Sequence, residues 1–238
     1  MTHSSMRTGR LLRERGFSLQ TPPFAVVALD PSGSGDDHHA LSLIYREEWQ
    51  KGENYDPDFA VEKMHRIQLA KRLPQTLEFV DVLATMLRLA RHLSRETELA
   101  RLSGWLMVVE TNGVGHGYAE ALRAKLQPRH VLRIFTTAGL DQKPVVEDKT
   151  TMPRMAGLDL VRMLMETHYL RAAKGAEGME HLAAELQTFV WRTKNRPEAM
   201  AGQHDDLVMA LALAVWTAEK LVPPLLLAAP PPRGRRFA

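Results

Sequence analysis

Short apolar runs alternate with longer amphipathic stretches along this chain. Residues 24–29 (FAVVAL) are too few for a helix and rich in β-branched side chains, which predicts a buried strand that ends at Asp30. Turn-forming residues follow at 31–37 (PSGSGDD), and strands are predicted at 39–49 and 58–69, each pairing back on the strand before it. The first part of the chain therefore predicts three antiparallel strands.

The middle of the chain alternates between predicted helices and strands. Residues 75–102 have helical spacing of their apolar positions, which are Leu77, Val80, Leu83, Ala84, Leu87 and Ala90. A second buried strand at 105–109 ends at Glu110, and a helix at 113–126 and a strand at 131–135 follow it. This order, β-β-β-α-β-α-β, predicts an α/β fold with a central mixed sheet flanked by helices.

Two more helices are predicted in the second half. Apolar residues repeat at helical spacing through 152–169, and residues 205–221 are nearly all apolar after their first turn. A helix that is apolar around most of its circumference is expected to lie against the sheet rather than on an open surface. The acidic start of the last helix, Asp205 and Asp206, is therefore expected beside the core.

The two ends of the chain differ from this domain. Residues 1–23 are predicted to form a basic N-terminal arm, residues 24–221 the domain, and residues 222–238 a tail rich in proline and arginine. The chain has no cysteine, which excludes disulfides and thiolate metal ligands. A net charge of +3 permits nucleic-acid binding without implying it. No apolar run is long enough for a membrane span or a signal peptide, so we expect a soluble intracellular protein with no membrane partner.

Acidic residues stand where apolar elements begin or end: Asp30, Glu110, Asp205 and Asp206. If the strands before Asp30 and Glu110 are adjacent and parallel, both carboxylates project into one crevice, and the last helix adds a third. An all-oxygen cluster suits one or two Mg²⁺ or Mn²⁺ ions, and two such ions can support hydrolysis of a phosphodiester. The alternative is that these acids are turn formers and helix caps, as Asp205 alone would be.

Three phrases of the sequence together resemble the nuclease domain of the large terminase subunit of tailed phages. They are ALDPSGSGDDHHAL at 28–41, LMVVETNGVGHGYAEALR at 106–123 and GQHDDLVMALALAVW at 202–216. The resemblance lies in an Asp-Pro before a glycine-rich turn, an acid two residues before Asn-Gly, and a double aspartate that opens an alanine-rich helix, in this order. It covers about residues 24–216.

This resemblance implies a ribonuclease H-like fold and two-metal cleavage of double-stranded DNA during genome packaging. It carries metal-ligand and catalytic roles onto Asp30, Glu110 and the pair Asp205 and Asp206, and favours Asp206 as the direct ligand. It implies Mg²⁺ or Mn²⁺ as cofactor, with two ions expected. The implied partners are double-stranded DNA, a separate packaging ATPase domain, the small terminase subunit and the portal, and the implied location is the host-cell cytoplasm.

Four further residues have two interpretations each. Asp37 is either an outer ligand after the glycine-rich turn or a solvated loop residue, and His204 is either a ligand or proton relay or an exposed residue at a helix start. Lys149 and Arg154 flank the start of the helix predicted at 152–169. There they could hold a DNA phosphate, and ordinary surface charge explains them equally well.

The chain contains no phosphate loop of the form G-x-x-x-x-G-K-[ST]. We therefore expect either an excised nuclease domain or a gene product whose ATPase lies elsewhere. Another ribonuclease H-like nuclease, such as a Holliday-junction resolvase or a transposase-like enzyme, shares the same carboxylate chemistry. A DNA-binding or portal-binding module without catalysis is the remaining alternative.

Overall fold

A computed structural model of the chain describes residues 17–19, 21–32, 38–51, 61–74, 76–138, 149–190, 198–199 and 205–222. Within these residues the chain forms one mixed β-sheet that is covered by helices on both faces. The predicted α/β architecture is therefore confirmed.

The sheet has eight strands among the described residues, and its central strands are buried on both faces. The eight strands are β1 (Phe17–Leu19), β2 (Phe24–Asp30), β3 (His39–Lys51), β4 (Val61–Leu73), β5 (Gly104–Glu110), β6 (Val131–Thr137), β7 (Lys149–Pro153) and β8 (Leu170–Glu177). The order across the sheet is β7-β6-β5-β2-β3-β4-β8, and β1 pairs with the far end of β3. A separate pair of short strands is formed by β9 (Phe189–Val190) and β10 (Glu198–Ala199).

Strand directions follow from how the strands are connected. The first three long strands, β2, β3 and β4, are joined as antiparallel neighbours, whereas β2, β5, β6 and β7 run parallel. A parallel neighbour needs a crossover connection, and helices supply two of these crossovers. As a result β2 and β5 end side by side at one edge of the sheet.

Five α-helices cover the sheet in the described part of the chain. They are α1 (Phe79–Glu98), α2 (Gly115–Lys125), α3 (Arg154–Glu166), α4 (Met179–Thr188) and α5 (Asp206–Lys220), with a short 3₁₀ helix at Pro128–His130. One face of the sheet packs against α1 and α2, and the other packs against α3, α4 and α5. No helix among the described residues is both long enough and apolar enough to span a bilayer.

The last helix, α5, lies in the middle of its layer. Every residue from Asp206 to Ala218 is buried, as its nearly continuous apolar sequence predicts. Arg46 of β3 is fully buried and donates hydrogen bonds to the carbonyl oxygens of Ala218 (2.5 Å) and Val222 (2.7 Å). A cation at this end satisfies carbonyl groups that have no partner inside the helix and complements the helix dipole.

Several element boundaries differ from the sequence prediction. The first helix begins at Phe79 rather than 75, and its buried face is Val82, Met86, Ala90 and Leu93, while Val80 is exposed. β4 extends to Leu73, and the predicted positions 58–60 lie outside the described residues. Neither β8 nor α4 was predicted. The physical reason is that packing on the sheet, rather than local periodicity, decides which helix face is buried.

Two further differences concern the edges of the domain. Met152 belongs to strand β7, and the helix predicted from 152 begins only at Arg154, directly after Pro153. Proline is tolerated beside the start of a helix, where its missing N–H costs no hydrogen bond. Phe17–Leu19 pairs with Trp49, Gln50 and Lys51, so part of the predicted arm at 1–23 is a strand of the sheet. The tail beyond residue 222 lies outside the described residues.

Candidate active site

Asp30 and Glu110 lie at the ends of two adjacent parallel strands. The register pairs Leu29 of β2 with Val109 of β5, and the two acids are the next residues of these strands. Side chains alternate between the two faces of a strand, so Asp30 shares a face with Ala28, which packs in the core under α5. Both carboxyl groups therefore point to the side of the sheet that α5 covers.

The third element, α5, begins at this same edge. It packs across β2 and β3, and its first turn brings Asp205 and Asp206 toward the end of β2. The backbone N–H of His38, which leads into β3, donates a hydrogen bond to Oδ2 of Asp206 (3.2 Å). Asp206 is 8% exposed. A buried carboxylate at a helix start is thus held from the sheet as well as by its own helix.

The other three acids lie near enough to Asp30 for their charges to oppose its ionisation. Burial raises the pKa of Asp30 well above its usual range, and the charge of Glu110 and a hydrogen bond with it raise this pKa further. Asp206 and then Asp205 act in the same direction. A carboxylate whose ionisation is opposed by three others is the signature of a cluster of like charges. The sequence prediction that strand ends and the last helix would bring these acids together agrees with this geometry.

Asp205 occupies the position of a helix N-cap without acting as one. Its side chain makes no capping hydrogen bond, and its Oδ2 accepts instead from Nη2 of Arg154 at 2.5 Å. The N–H groups of Leu207 and Val208, which an N-cap side chain would normally bind, donate to Oε2 of Glu185 at 2.9 and 3.1 Å. The interpretation of Asp205 as a simple cap therefore does not fit this structure.

Glu185 is a residue of this region that the sequence analysis missed. It lies on α4, is 3% exposed, and accepts two hydrogen bonds from Arg72 of β4 at 2.9 and 2.6 Å. Burial raises the pKa of Glu185, and the hydrogen bond from Arg72 opposes that rise. The sequence feature that could have pointed to Glu185 is its spacing, since it follows Leu182 by three residues and so lies on the same inward face of an amphipathic helix. A buried acid at such a position needs partners, and Arg72 and α5 provide them.

Glu110 is held by the strand beside it. Oγ1 of Thr136 on β6 donates to Oε1 of Glu110, and Nδ2 of Asn112 donates to Oγ1 of Thr136 at 2.7 Å. Behind Glu110, a Cβ atom at Gly115 would lie 1.7 Å from the Glu110 carbonyl oxygen and 2.9 Å from Pro31. The start of α2 therefore fits against Glu110 only because residue 115 is glycine.

The other predicted site residues are not all brought to the acids. Arg154 contacts Asp205 directly. Lys149 of β7 pairs with Arg133 of β6, and Nη1 of Arg133 donates to Glu120 of α2 at 2.5 Å. Met152, three residues after Lys149, packs beneath α5 on the other face of the sheet. Alternation places Lys149 on the face opposite the acids. Asp37 and His204 lie outside the described residues.

The donor set of this edge fits a divalent metal. The donors at this edge are carboxylate oxygens, which are the ligands that Mg²⁺ and Mn²⁺ prefer. A cation there would also relieve the repulsion that raises the pKa of Asp30. Among the described residues, no three His, Asp or Glu side chains already form a ligand set for one ion. For these acids to bind one ion together, two contacts would have to change: that of Asp205 with Arg154 and that of Asp206 with His38.

Comparisons with known proteins address the fold of the chain. No protein-family model and no curated protein sequence matches it. Its structure is similar to that of the human cytomegalovirus terminase nuclease domain, soaked with manganese and bound to an inhibitor. The TM-score is 0.52 at 14% sequence identity, and the alignment covers 92% of this chain and 90% of that one. The large terminase nuclease of thermophilic phage G20c aligns at a TM-score of 0.44 and 19% identity, covering 84% and 87%. The chain has the fold of a terminase nuclease domain, a ribonuclease H-like fold with a central mixed sheet flanked by helices.

Proposed function

We propose that this chain is a metal-dependent endonuclease that cleaves double-stranded DNA, and that it acts as the nuclease of a phage large terminase during genome packaging. The observation that carries the proposal is the cluster of Asp30, Glu110, Asp205 and Asp206, brought from two strands and one helix to a single edge of the sheet. The likeness in fold to a terminase nuclease domain that was soaked with manganese supports it. A packaging role would require a separate ATPase domain, the small terminase subunit and the portal as partners.

In the proposed reaction Asp30, Glu110 and Asp206 hold one or two Mg²⁺ or Mn²⁺ ions, and Asp205 assists them. When bound, such ions stabilise the charge that develops on the phosphate during the displacement. Asp30 would be one of the metal ligands, because the charges of Glu110, Asp206 and Asp205 all act on its carboxyl group. Thr136 orients Glu110 through its hydrogen bond, and the N–H of His38 orients Asp206. The Thr136 contact holds Glu110 in place before metal or substrate arrives, which lowers the cost of assembling the site.

Arg154 is the best-placed cation of the site for a DNA phosphate. Its side chain is 38% exposed and already touches an acid of the cluster. If Asp205 served as a metal ligand, the Arg154 guanidinium could bind a phosphate oxygen in its place, a geometry that suits arginine. Lys149 remains a proposed DNA contact only for a strand that passes the opposite face of the sheet. Asp37 and His204 remain proposed as an outer ligand and as a ligand or proton relay.

The test is a plasmid-cleavage assay with Mn²⁺, with Mg²⁺ and with excess chelator. We expect nicked and then linear DNA with either metal and intact supercoiled DNA in chelator. Equal cleavage with and without chelator would overturn metal dependence. A second substrate, a four-way DNA junction, separates the proposal from a resolvase, which would cut the junction in preference to linear duplex. Binding of DNA without cleavage in any metal would indicate a non-catalytic module.

A further inference from the structure

The start of α5 is capped from another helix. Where Asp205 would normally satisfy the first free N–H groups of its own helix, Glu185 of α4 does so. We propose that Glu185 is a positioning residue of the acid cluster, and that it acts by taking over the capping role, so that the Asp205 carboxylate points to the site instead of back onto its own helix. This inference rests on the proposed function, because it concerns the same site.

The geometry of this cap is that of an N-cap side chain supplied by a different element. The two amides that bind Oε2 of Glu185 belong to Leu207 and Val208, the second and third residues of α5. These are the donors that an N-cap oxygen accepts from in most helices. A negative charge at this position also complements the positive end of the helix dipole. Glu185 thus provides both the acceptor oxygen and the negative charge that a capping aspartate would provide.

Glu185 is itself fixed in place. Its other oxygen, Oε1, accepts two hydrogen bonds from the Arg72 guanidinium, and its side chain is 2% exposed against 27% for Arg72. The cap therefore depends on β4 and α4 and on none of the four clustered acids. The carboxylate can support the start of α5 whether or not a metal is bound.

The consequence for Asp205 follows from competition for the same carboxylate. A short Asp side chain that turns back onto the N–H groups of its own helix directs its carboxylate away from a ligand in the site. With Glu185 in place, Oδ2 of Asp205 accepts from Arg154, and the Asp205 side chain is 25% exposed at the site. Without Glu185, the amides of Leu207 and Val208 would be buried without partners, and Asp205 stands at the N-cap position, from which a side chain normally binds such amides. We expect it to turn back onto its helix.

Glu185→Gln is the variant that tests this, because it keeps the side-chain volume but has only one acceptor oxygen for the two sets of donors. That oxygen is expected to bind the charged Arg72 guanidinium, which leaves an NH₂ group facing the two amides of α5. Glu180→Gln is the matched control, since it removes the same charge from the exposed first turn of the same helix. Two properties are measured for each protein: the amide hydrogen exchange of Leu207 and Val208 without metal, and the affinity for Mn²⁺ by calorimetry. Plasmid cleavage as a function of Mn²⁺ concentration is measured alongside them.

For Glu185→Gln we expect faster exchange of both amides and an Mn²⁺ affinity lower by about tenfold, the lower end of what loss of an outer-shell partner costs. Glu180→Gln is expected to match wild type in both. Faster exchange with unchanged Mn²⁺ affinity and cleavage would show that the cap only stabilises the helix, and would overturn the proposal. Unchanged exchange would overturn it as well.

A second variant covers the case in which Glu185→Gln does not fold. Arg72→Met keeps Glu185 and removes its anchor, so a smaller change in the same direction is expected, and no change in Mn²⁺ affinity would contradict the proposal. The wild-type protein tests the proposed function independently of the variants. If the wild-type protein neither binds Mn²⁺ nor cuts DNA, the nuclease proposal fails. If it does both and the variants behave as wild type, only the role of Glu185 fails.

Discussion

At the end of β2, the Asp30 carboxyl group has three other carboxyl groups around it, and burial together with their charge raises its pKa well above the usual range. Such an arrangement is unfavourable for folding unless a cation or a proton compensates it. The acids are therefore better explained by a ligand than by stability. Proteins tolerate this kind of local cost where a site needs it.

Substitution of Asp30 tests its role in cleavage. Asp30→Asn keeps the volume of the side chain and removes the charge that a metal needs, so we expect metal-dependent plasmid cleavage to fall by at least about a hundredfold. Asp159→Asn is the control, because Asp159 is an exposed acid on the outer side of α3. Cleavage by Asp30→Asn at the wild-type rate would contradict the assignment of this residue.

Arg154 provides a prediction about DNA binding. Arg154→Gln removes one cation beside the acids, so we expect weaker DNA binding in the presence of Ca²⁺, with little dependence on sequence and a salt slope that is smaller by about one. Arg162→Gln, on the same helix but paired with Glu166 on its exposed side, is the control. Equal affinity and an equal salt slope for Arg154→Gln and wild type would remove Arg154 from the DNA-binding surface.

The acids of the site could be predicted from sequence, and their supports could not. Asp30 and Glu110 end apolar runs, and Asp206 opens one, so the pattern itself marks them. Glu185 is separated from the amides it caps by about twenty residues, and the pairing exists only because α4 and α5 pack side by side. The position of Lys149 on the opposite face could not be predicted for a related reason, since it requires knowledge of strand β7.

Among the elements, the turn from β5 into α2 places the strictest demand on a single residue. A Cβ atom at Gly115 would lie 1.7 Å from the carbonyl oxygen of Glu110, whereas one at Gly117 would lie 3.7 Å from Phe79. The first distance forces a backbone shift and the second is ordinary contact. The glycine at 115 therefore fixes how closely α2 approaches the end of β5.

The contrast between Gly115 and Gly117 provides a matched pair of variants. Gly115→Ala should displace Glu110, lower the melting temperature and reduce cleavage, with a loss of stability of about 1–3 kcal/mol for overpacking. Gly117→Ala should be neutral or slightly stabilising, because alanine favours the helix. The measurements are thermal melts and plasmid cleavage of both variants. If Gly115→Ala matches Gly117→Ala in both, α2 does not constrain Glu110.

The elements themselves were predictable where periodicity was strong and connections were short. Strands β2, β3, β5 and β6 and helices α2 and α5 lie within a few residues of their predicted positions. The sequence assigns the last two residues of β7 to a helix, because Met152 continues the apolar spacing of α3 and only Pro153 marks the boundary. β8 has few buried residues at the sheet edge, so its sequence carries little apolar pattern.

Across the whole molecule, α5 links the site to the opposite side of the domain. At its far end Glu219 lies 3.1 Å from Nε2 of His65 and 3.4 Å from Nζ of Lys63. Burial acts to raise the pKa of Glu219, but His65, Lys63 and Arg46 outweigh it and lower this pKa from 4.5 to about 2. The carboxylate therefore stabilises the folded state while it is ionised.

This lowered pKa predicts how stability depends on pH. Because the folded-state pKa is below the unfolded-state value, the contribution of Glu219 is complete above about pH 4.5 and is lost as the pH falls toward about 2. Its upper limit is about 3 kcal/mol, at 1.36 kcal/mol per pKa unit. Urea unfolding of Glu219→Gln and wild type in chelator should therefore differ most near pH 6 and converge below pH 3. A difference that does not change with pH would contradict this account.

The measurement that tests the central claim most directly is a thermal melt of wild type and Asp206→Asn, each with chelator and with millimolar Mn²⁺. If the four acids form a metal site, Mn²⁺ stabilises wild type by about 2.7 kcal/mol at a hundredfold excess over its dissociation constant, or roughly 5–10 °C. Asp206→Asn, whose amide oxygen can still accept from the His38 N–H, should melt above wild type in chelator and gain less from Mn²⁺. A wild-type melting temperature that ignores Mn²⁺, together with an Asp206→Asn protein less stable than wild type in chelator, would show that these acids are caps and turn formers and not a metal site.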